Sequence, residues 1–444
     1  MRAPELFQPE VYINPKWYLF KEQDLGKIHG SIPWDELEAC LPKENFGPGA
    51  KRWFSGRGML GLMFLKSILN VSDKQLIDRF NTDWSLQLFC NKLLKENERI
   101  KDYSIVSRIR TYLSEEVEWE QLQRVLLDYW KRDMDNTHVL LMDATCYESY
   151  VRFPTDVKLL WESCQWIYEK QLFKLCKKLR IKRPRSKYVE QKRKQLDYSR
   201  RRKKGYKLGR KRKQSLLYLL EKGIGLLQEV LDQNPEVKLP IYDRHYLRTI
   251  KKVLEQQTFL QTHPAKELKN RIVSLHKPYL RPIVRGKENK RVEFGMKAHV
   301  LQVDGICFID TLEFRAFNES TRLKISYVKH KNIFGELNHL GADRIYATNA
   351  NRRYLTSKQV FTCFPKKGPK VESKEEKKLK SLISIQRSTV MEGAFGTQKT
   401  AYGLNKVRAR GEKREKLWVF FGIMAANSVK ISKRKPPEQL SIAA

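Results

Sequence analysis

Acidic residues are scarce in this sequence. Fifty Asp and Glu stand against 88 Lys and Arg, for a formal net charge of +38 in 444 residues. That deficit argues against a cationic partner and for a polyanionic one. Nucleic acid is the commonest such partner, because neutralising phosphates releases counterions; ribosomal and membrane-surface proteins share the charge. Long apolar runs are also missing. The most apolar stretch, Leu417 to Ile431, is broken by Asn427 and Ser428 and is too short to span a bilayer, so it reads as a buried helix. Met1 to Pro15 carries no apolar segment of the signal-peptide kind. The seven cysteines (Cys40, Cys90, Cys146, Cys164, Cys176, Cys307 and Cys363) include no C-x-x-C pair, and the eight histidines have no zinc-finger spacing. A scattered, odd set of thiols suits a reducing compartment better than a disulfide framework. The expectation is a soluble intracellular protein.

What is present is enough to fold. Hydrophobic residues make up 41% and aromatics 11%, which excludes a disordered basic tail. The length suggests two or three domains. Residues up to about 133 read as helical. Ser55 to Asn70 has the apolar spacing of a buried helix. Ser72-Asp73-Lys74-Gln75 matches a capping box that opens a second helix through Phe80. A third begins near Thr82 or Asp83, and a fourth spans Ile105 to Leu113 with Arg108 and Arg110 on it. Short helices with tight turns fit a helix-turn-helix-like DNA-binding module, and equally a plain helical domain.

His138 to Met142 is a short apolar strand that delivers Asp143 at its C-terminal end. Pro154-Thr155-Asp156 starts a long helix, with Asp156 expected to be its N-cap rather than a ligand. About half of Tyr168 to Lys213 is Lys or Arg, including Arg200, Arg201, Arg202, Lys203 and Lys204, with Tyr188, Tyr198 and Tyr206 interleaved. Such density of one sign favours contact with a DNA backbone over a merely solvated face. Leu216 to Leu231 and Tyr242 to Leu260 read as two further helices. From Ile283 the pattern changes to strands. Glu293 to Val303 and Ile306 to Leu312 flank Asp304-Gly305, a strong hairpin signal. A strand follows at Val360 to Phe364, then a charged connector at Lys366 to Lys380. Helices are expected at Arg387 to Lys399 and Glu412 to Lys430, and Lys433 to Pro437 stops structure.

Four stretches carry a family resemblance: LLMDATCYESYVRFPTDVKLLWE around Asp143, RPIVRGKENKRVEFGMKAHV before the hairpin, GADRIYATNANRRYL around Asp343, and MEGAFGTQKTAYGLNKVRARGEKREKLWVFFGIMAAN around Glu392. Together they resemble the DDE transposases of bacterial insertion sequences, a group with a ribonuclease-H-like catalytic domain. The resemblance covers nearly all the chain and is most specific around Glu392. It implies an α/β (α+β mixed) fold: a ribonuclease-H-like mixed sheet flanked by helices, an N-terminal helical domain, and a long basic helical insertion after the first catalytic strand. The implied division is 1–133 for a DNA-end-binding helical domain, 134–163 and 276–432 for the catalytic domain, 164–275 for the insertion, and 433–444 for a tail. It assigns Asp143, Asp343 and Glu392 as catalytic and metal-holding, with two Mg²⁺ ions for which Mn²⁺ substitutes. Lys399, two helical turns past Glu392, is implied to contact the DNA end; Arg387, Arg408 and Arg410 join it as DNA-binding candidates. Implied partners are double-stranded DNA, as terminal inverted repeats and target, and a second copy in a homodimer on DNA. The implied location is the bacterial cytoplasm at the nucleoid. The sequence departs from the family at Ile385 and Ser388, where relatives often carry Tyr and Arg, and at Arg344-Ile345-Tyr346 after the second aspartate.

The residue types suit the chemistry. Phosphodiester hydrolysis and strand transfer need an activated oxygen nucleophile and a stabilised leaving oxygen, which two Mg²⁺ ions on hard carboxylate ligands provide. Two other aspartates compete for the second position. Asp304 has a sufficient explanation in its turn. Asp310, inside a hairpin strand, is expected to face outward or pair with Arg or Lys. Two other functions stay open: an inactive or domesticated transposase-derived DNA-binding protein, and a structure-selective nuclease on the same fold.

Overall fold

The computed structural model describes residues 15–42, 52–264, 266–284, 292–368 and 372–434. The expectations for the first fourteen residues, for 285–291 within the second resembling stretch, for 369–371 of the connector and for the tail beyond 434 lie outside the described residues. In chain order the principal elements are helices α1 (Gly56–Leu69), α2 (Asp73–Phe80), α3 (Ile105–Glu116) and α4 (Trp119–Trp130), and strand β1 (Val139–Glu148). Helices α5 (Asp156–Gln165), α6 (Tyr206–Asp232) and α7 (Ile241–Thr262) follow, then strands β2 (Pro282–Val284), β3 (Val292–Val303) and β4 (Ile306–Glu313). The chain closes with α8 (Leu323–Phe334), β5 (His339–Ala342), β6 (Phe361–Thr362), α9 (Lys374–Gln386), α10 (Glu392–Thr400) and α11 (Glu412–Ser432). The protein is a mixed α/β fold, predominantly helical, as expected.

Two compact units divide the chain. The first comprises residues 1–150, 296–313 and 317–444, and the second comprises 151–295 and 314–316. In the first unit, α11 is buried nearly throughout its apolar length and packs against α1, α3, α4 and β4. Phe421 meets Phe64 edge-on, and the buried Asn427 amide brackets the backbone N–H and C=O of Cys307 on β4. That pairing explains a polar residue inside an apolar run: buried backbone groups at this point need partners, and Asn427 supplies both. The expected capping box is present, with Ser72 and Gln75 bonded reciprocally on α2, and Ser55 additionally caps α1.

The sheet runs β2-β3-β1-β5-β6, with β4 beside β3. β1 pairs with β5 in parallel, and β5 with β6 in parallel, whereas β3 and β4 form an antiparallel hairpin. Asp304 at φ +48° and Gly305 at φ +77° turn the hairpin, both left-handed as a type I′ turn requires. Between His299 and Val300 the β3–β4 register shifts, so Asp310 is the extra residue of a bulge. Bulges re-aim side chains. Asp310 is consequently turned inward, its side chain only 1% exposed, where strand alternation alone had it facing out or pairing; it pairs, and it does so buried. β1 also differs from expectation, because it continues five residues past Asp143 to Glu148. Asp143 therefore lies mid-strand rather than at the strand's end. The charged connector holds a helix, α9, opened by a second capping box between Ser373 and Glu376.

The second unit is helical apart from the short β2 pairing with the start of β3. Its core joins α5, α6 and α7 through Leu160, Ile167, Tyr168, Leu216, Leu220 and Ile250. A Cβ at Gly223 would fall 2.6 Å from the Tyr168 ring, so the bare backbone there is what admits the ring. Thr155, not Asp156, caps α5. Asp156 instead gathers Lys213, Arg271 and the Gln257 amide, and these contacts outweigh its burial to hold its carboxyl below the usual range.

Candidate active site

β1 presents alternate residues to one face, so Asp143, Thr145 and Tyr147 share it. That face meets α10. The Tyr147 hydroxyl donates to Gln398 at 2.6 Å, and the Lys399 ammonium donates to the Thr145 hydroxyl at 2.9 Å. Helices α9 and α10 join through a π-helical turn at Arg387–Met391. The turn places Arg387 between two carboxylates far apart in the sequence: its Nη1 donates to Asp143 Oδ2 at 3.0 Å and stands 3.6 Å from Glu392 Oε1. Asp143 is 17% exposed at its side chain and Glu392 is 56% exposed, so the pair spans from the sheet to solvent.

Asp343 follows β5, the parallel neighbour of β1, and caps the short turn Arg344–Tyr346 by accepting from the Arg344 N–H at 2.6 Å. Burial pushes the Asp143 carboxyl above its ordinary range. The Ala144 N–H and Arg387 oppose that, while the charges of Glu319 and Asp343 add to it. Of the three carboxylates expected from the resemblance, Glu392 is thus linked to Asp143 through Arg387, and Asp343 lies near enough to Asp143 for its charge to be felt. They are not drawn into a closed ligand cage: among the described residues no group of three or more His, Cys, Asp or Glu is placed to hold a metal ion.

Sequence reasoning missed a polar chain behind Asp143. The Asp310 carboxylate holds His299 Nδ1 at 3.0 Å, and His299 Nε2 lies 2.8 Å from the Tyr346 hydroxyl. In the neutral tautomer that donates Nδ1–H to Asp310, Nε2 accepts the tyrosine proton. Tyr346 also stands 3.5 Å from Glu319, whose other oxygen pairs with Lys297 at 2.8 Å. Burial raises the Asp310 carboxyl, but hydrogen bonds from His299 and Arg322 outweigh it and hold the group low. Burial and the neighbouring Glu319 and Asp143 charges push the Tyr346 phenol far up, so it stays protonated. Tyr346 and Glu319 have no local signal, since only the fold brings them to Asp143. Asp310 had one, an acid inside an apolar strand.

The other expected DNA contacts fall into two groups. Arg200 ends the helix Tyr188–Arg200, and Arg201 to Lys204 are exposed in the turn before α6. Farther along the basic segment the charge is structural: Arg212 is buried against Gln191 and Gln195, and Lys213 pairs with Asp156. Arg408 and Arg410 are exposed in the first unit, on the segment between α10 and α11.

The class defined so far is a mixed α/β protein with several carboxylates converging beside a central strand. Residues 17–112 match the family described as a transposase domain (DUF772), which covers the helices through α2 and most of α3. That match supports a transposase role. Neither the comparison with curated proteins nor that with solved structures gave a match. Among the described residues no helix is long and apolar enough to cross a membrane.

Proposed function

We propose that this protein is a DDE-type transposase that cuts the ends of a DNA element and joins them to a target. The observation that carries the proposal is the convergence of Asp143 and Glu392 on one Arg387 nitrogen, with Asp343 close enough to act on the Asp143 charge. Strand order supports it: a hairpin beside β1, then two strands parallel to β1, is the arrangement of ribonuclease-H-like folds. The transposase-domain match supports it independently.

The donor set fits Mg²⁺, because Asp143, Asp343 and Glu392 offer hard oxygens, and burial, with the charges of Glu319 and Asp343 adding to it, raises the proton affinity of Asp143. Two bound Mg²⁺ ions would supply an activated oxygen nucleophile and charge stabilisation on the leaving oxygen. In the first step a water oxygen bonds to phosphorus, the P–O3′ bond breaks, and the element's 3′ oxygen leaves with a proton. In the second, that 3′-hydroxyl attacks a target phosphorus and displaces the target's 3′ oxygen. No covalent protein intermediate forms, so no nucleophilic Ser or Tyr is required. Arg387 holds Asp143 in place and supplies positive charge beside the scissile phosphate. Lys399, seated on Thr145, orients the DNA end. Duplex DNA is the partner, and paired ends call for a dimer.

The test uses a plasmid carrying the reading frame with its flanking DNA on both sides. Wild-type protein nicks and joins in Mg²⁺ or Mn²⁺ and only binds in EDTA. Asp143→Ala, Asp343→Ala and Glu392→Ala each abolish cutting while retaining binding. Full cutting in excess EDTA, or by the Asp143 and Glu392 variants, overturns the proposal; cutting without joining reduces it to a nuclease.

A further inference from the structure

A second concentration of charge lies in the first unit, away from the carboxylates. A cavity of about 440 Å³ is lined by Lys66 and Ser72, by Asp73, Ser107 and Arg110, and by Arg408, Arg410, Arg414 and Trp418. Five cations thus surround one carboxylate. Asp73 is the one carboxylate among the lining residues, 2.7 Å from Lys66 and 3.3 Å from Arg110, whose side chains are 9% and 7% exposed, and Lys66 also donates to the Val71 carbonyl. Burying two cations on one anion leaves positive charge that water cannot solvate, an expensive arrangement unless a second anion completes it. Lys66 and Arg110 are accordingly pulled towards giving up protons by burial, and the neighbouring Arg408 and Arg414 add to the effect. Arg408 and Arg410 form no ion pair among the described residues, and Arg414 reaches only the Thr111 hydroxyl, at 3.4 Å.

Trp418 organises the cavity. Arg110 lies 4.6 Å and Lys66 5.5 Å from its ring centroid, and its indole N–H is committed to the Gly403 carbonyl at 3.2 Å. With its ring engaged by cations, the tryptophan stiffens them and is not a stacking platform for a base. What remains to be recognised is an anion with several oxygens. Guanidinium forks match a phosphate.

We propose that this cavity binds a backbone phosphate of duplex DNA, at a point displaced along the duplex from the carboxylate site. The inference rests on the DNA-acting reading above. Position supports it. Ser149, at the end of β1, bridges Val407, the residue before Arg408. Ser149 is six residues beyond Asp143, about 20 Å along an extended strand. That is on the order of six phosphates along one DNA strand, at ~3.4 Å each. The cavity is also where α1, α2 and α3 of the matched transposase domain meet the segment leading into α11. A duplex held there touches both parts of the unit at once.

The test uses full-length protein, a labelled 40-base-pair duplex in Ca²⁺ buffer, and inorganic phosphate as a second probe. Arg408→Ala/Arg410→Ala changes the exposed rim, and Arg110→Lys keeps the Asp73 ion pair but removes the fork. The expected results are a slope of log affinity against log salt shallower by about two for the rim variant, and about tenfold weaker duplex binding for Arg110→Lys. Phosphate, at matched ionic strength, raises the wild-type melting temperature more than that of either variant. An unchanged slope with unchanged Arg110→Lys affinity overturns the proposal. Phosphate protection without any change in duplex binding also overturns it, because the occupant is then a free anion. If plasmid cutting fails but the slope and the Arg110→Lys loss are observed, the cavity stands and the catalytic reading falls.

Discussion

Gly341 offers a test of how the site is held together. It lies on β5, two residues before Asp343, and a Cβ built there falls 2.6 Å from Leu141 Cδ2 on β1 and 2.7 Å from Ile383 Cγ2 on α9. Carbon atoms rest at about 3.5–4.0 Å, so a methyl group intrudes by roughly 1 Å on both sides. Leu141 is a flexible tip, but Ile383 is β-branched and 3% exposed, so it has little room to yield. Overpacking of this kind costs about 1–3 kcal/mol. Alanine recovers roughly 0.4–1 kcal/mol by restricting the unfolded chain. Gly341→Ala is thus expected to lose about 1–2 kcal/mol, read as a lower urea midpoint at unchanged slope. The same wedge separates β5 from α9, the helix that leads into Arg387 and Glu392. Plasmid cutting should fall by about a hundredfold, since displacements near 1 Å have that effect on catalytic geometry. Gly396 on α10 is the control: nothing lies within 4 Å of its Cβ position, so Gly396→Ala should gain about 0.5–1 kcal/mol. If Gly341→Ala is as stable as wild type, or if both substitutions shift stability in the same direction, the packing argument is wrong.

His330 predicts a pH dependence. Fully buried, it binds the Thr137 carbonyl through Nε2 at 2.8 Å, its Nδ1 finds no partner among the described residues, and burial lowers its pKa from 6.5 to about 4. The unfolded chain takes up the proton first, so this contribution is whole above pH 6.5 and is lost as pH falls towards 4. Its full size is about 3 kcal/mol; His330→Gln should flatten the fall in melting temperature between pH 7 and 5, and an equal fall in both proteins would show that other groups carry it. In the second unit, neutralising Arg200 to Lys204 should weaken DNA binding and reduce its salt slope by up to one per phosphate lost, with the melting temperature unchanged because these side chains are exposed. Arg212→Ala should do the reverse, costing about 1–3 kcal/mol of stability through its buried glutamine partners and leaving the salt slope alone.

Local chemistry was legible without the fold. The Asp304-Gly305 turn, the capping box at Ser72 and the buried helix around Leu417 to Ile431 follow from rules acting over a few residues, and each stands as expected. The capping box at Ser373 and Glu376 was equally visible, but the lysines around it made the segment read as a connector. β5 was the weakest strand by pattern, because His339 and Gly341 break its apolar run; Gly341 is there for close packing rather than for strand propensity.

By itself, the sequence pointed to a polyanionic partner and determined the mixed helix-and-strand order and the carboxylates worth testing, because charge, periodicity and resemblance are all properties of the chain read in one dimension. Tertiary structure alone decided which groups face Asp143. A one-residue bulge turned Asp310 inward, a π-helical turn brought Arg387 across to Asp143 and Glu392, and parallel pairing of β5 with β1 set Asp343 beside them. It also joined Lys66 and Arg110 to Arg408, Arg410 and Arg414 around one cavity. Each of these depends on register or on contacts between distant segments, and a single residue of slip would reverse the face that a side chain occupies.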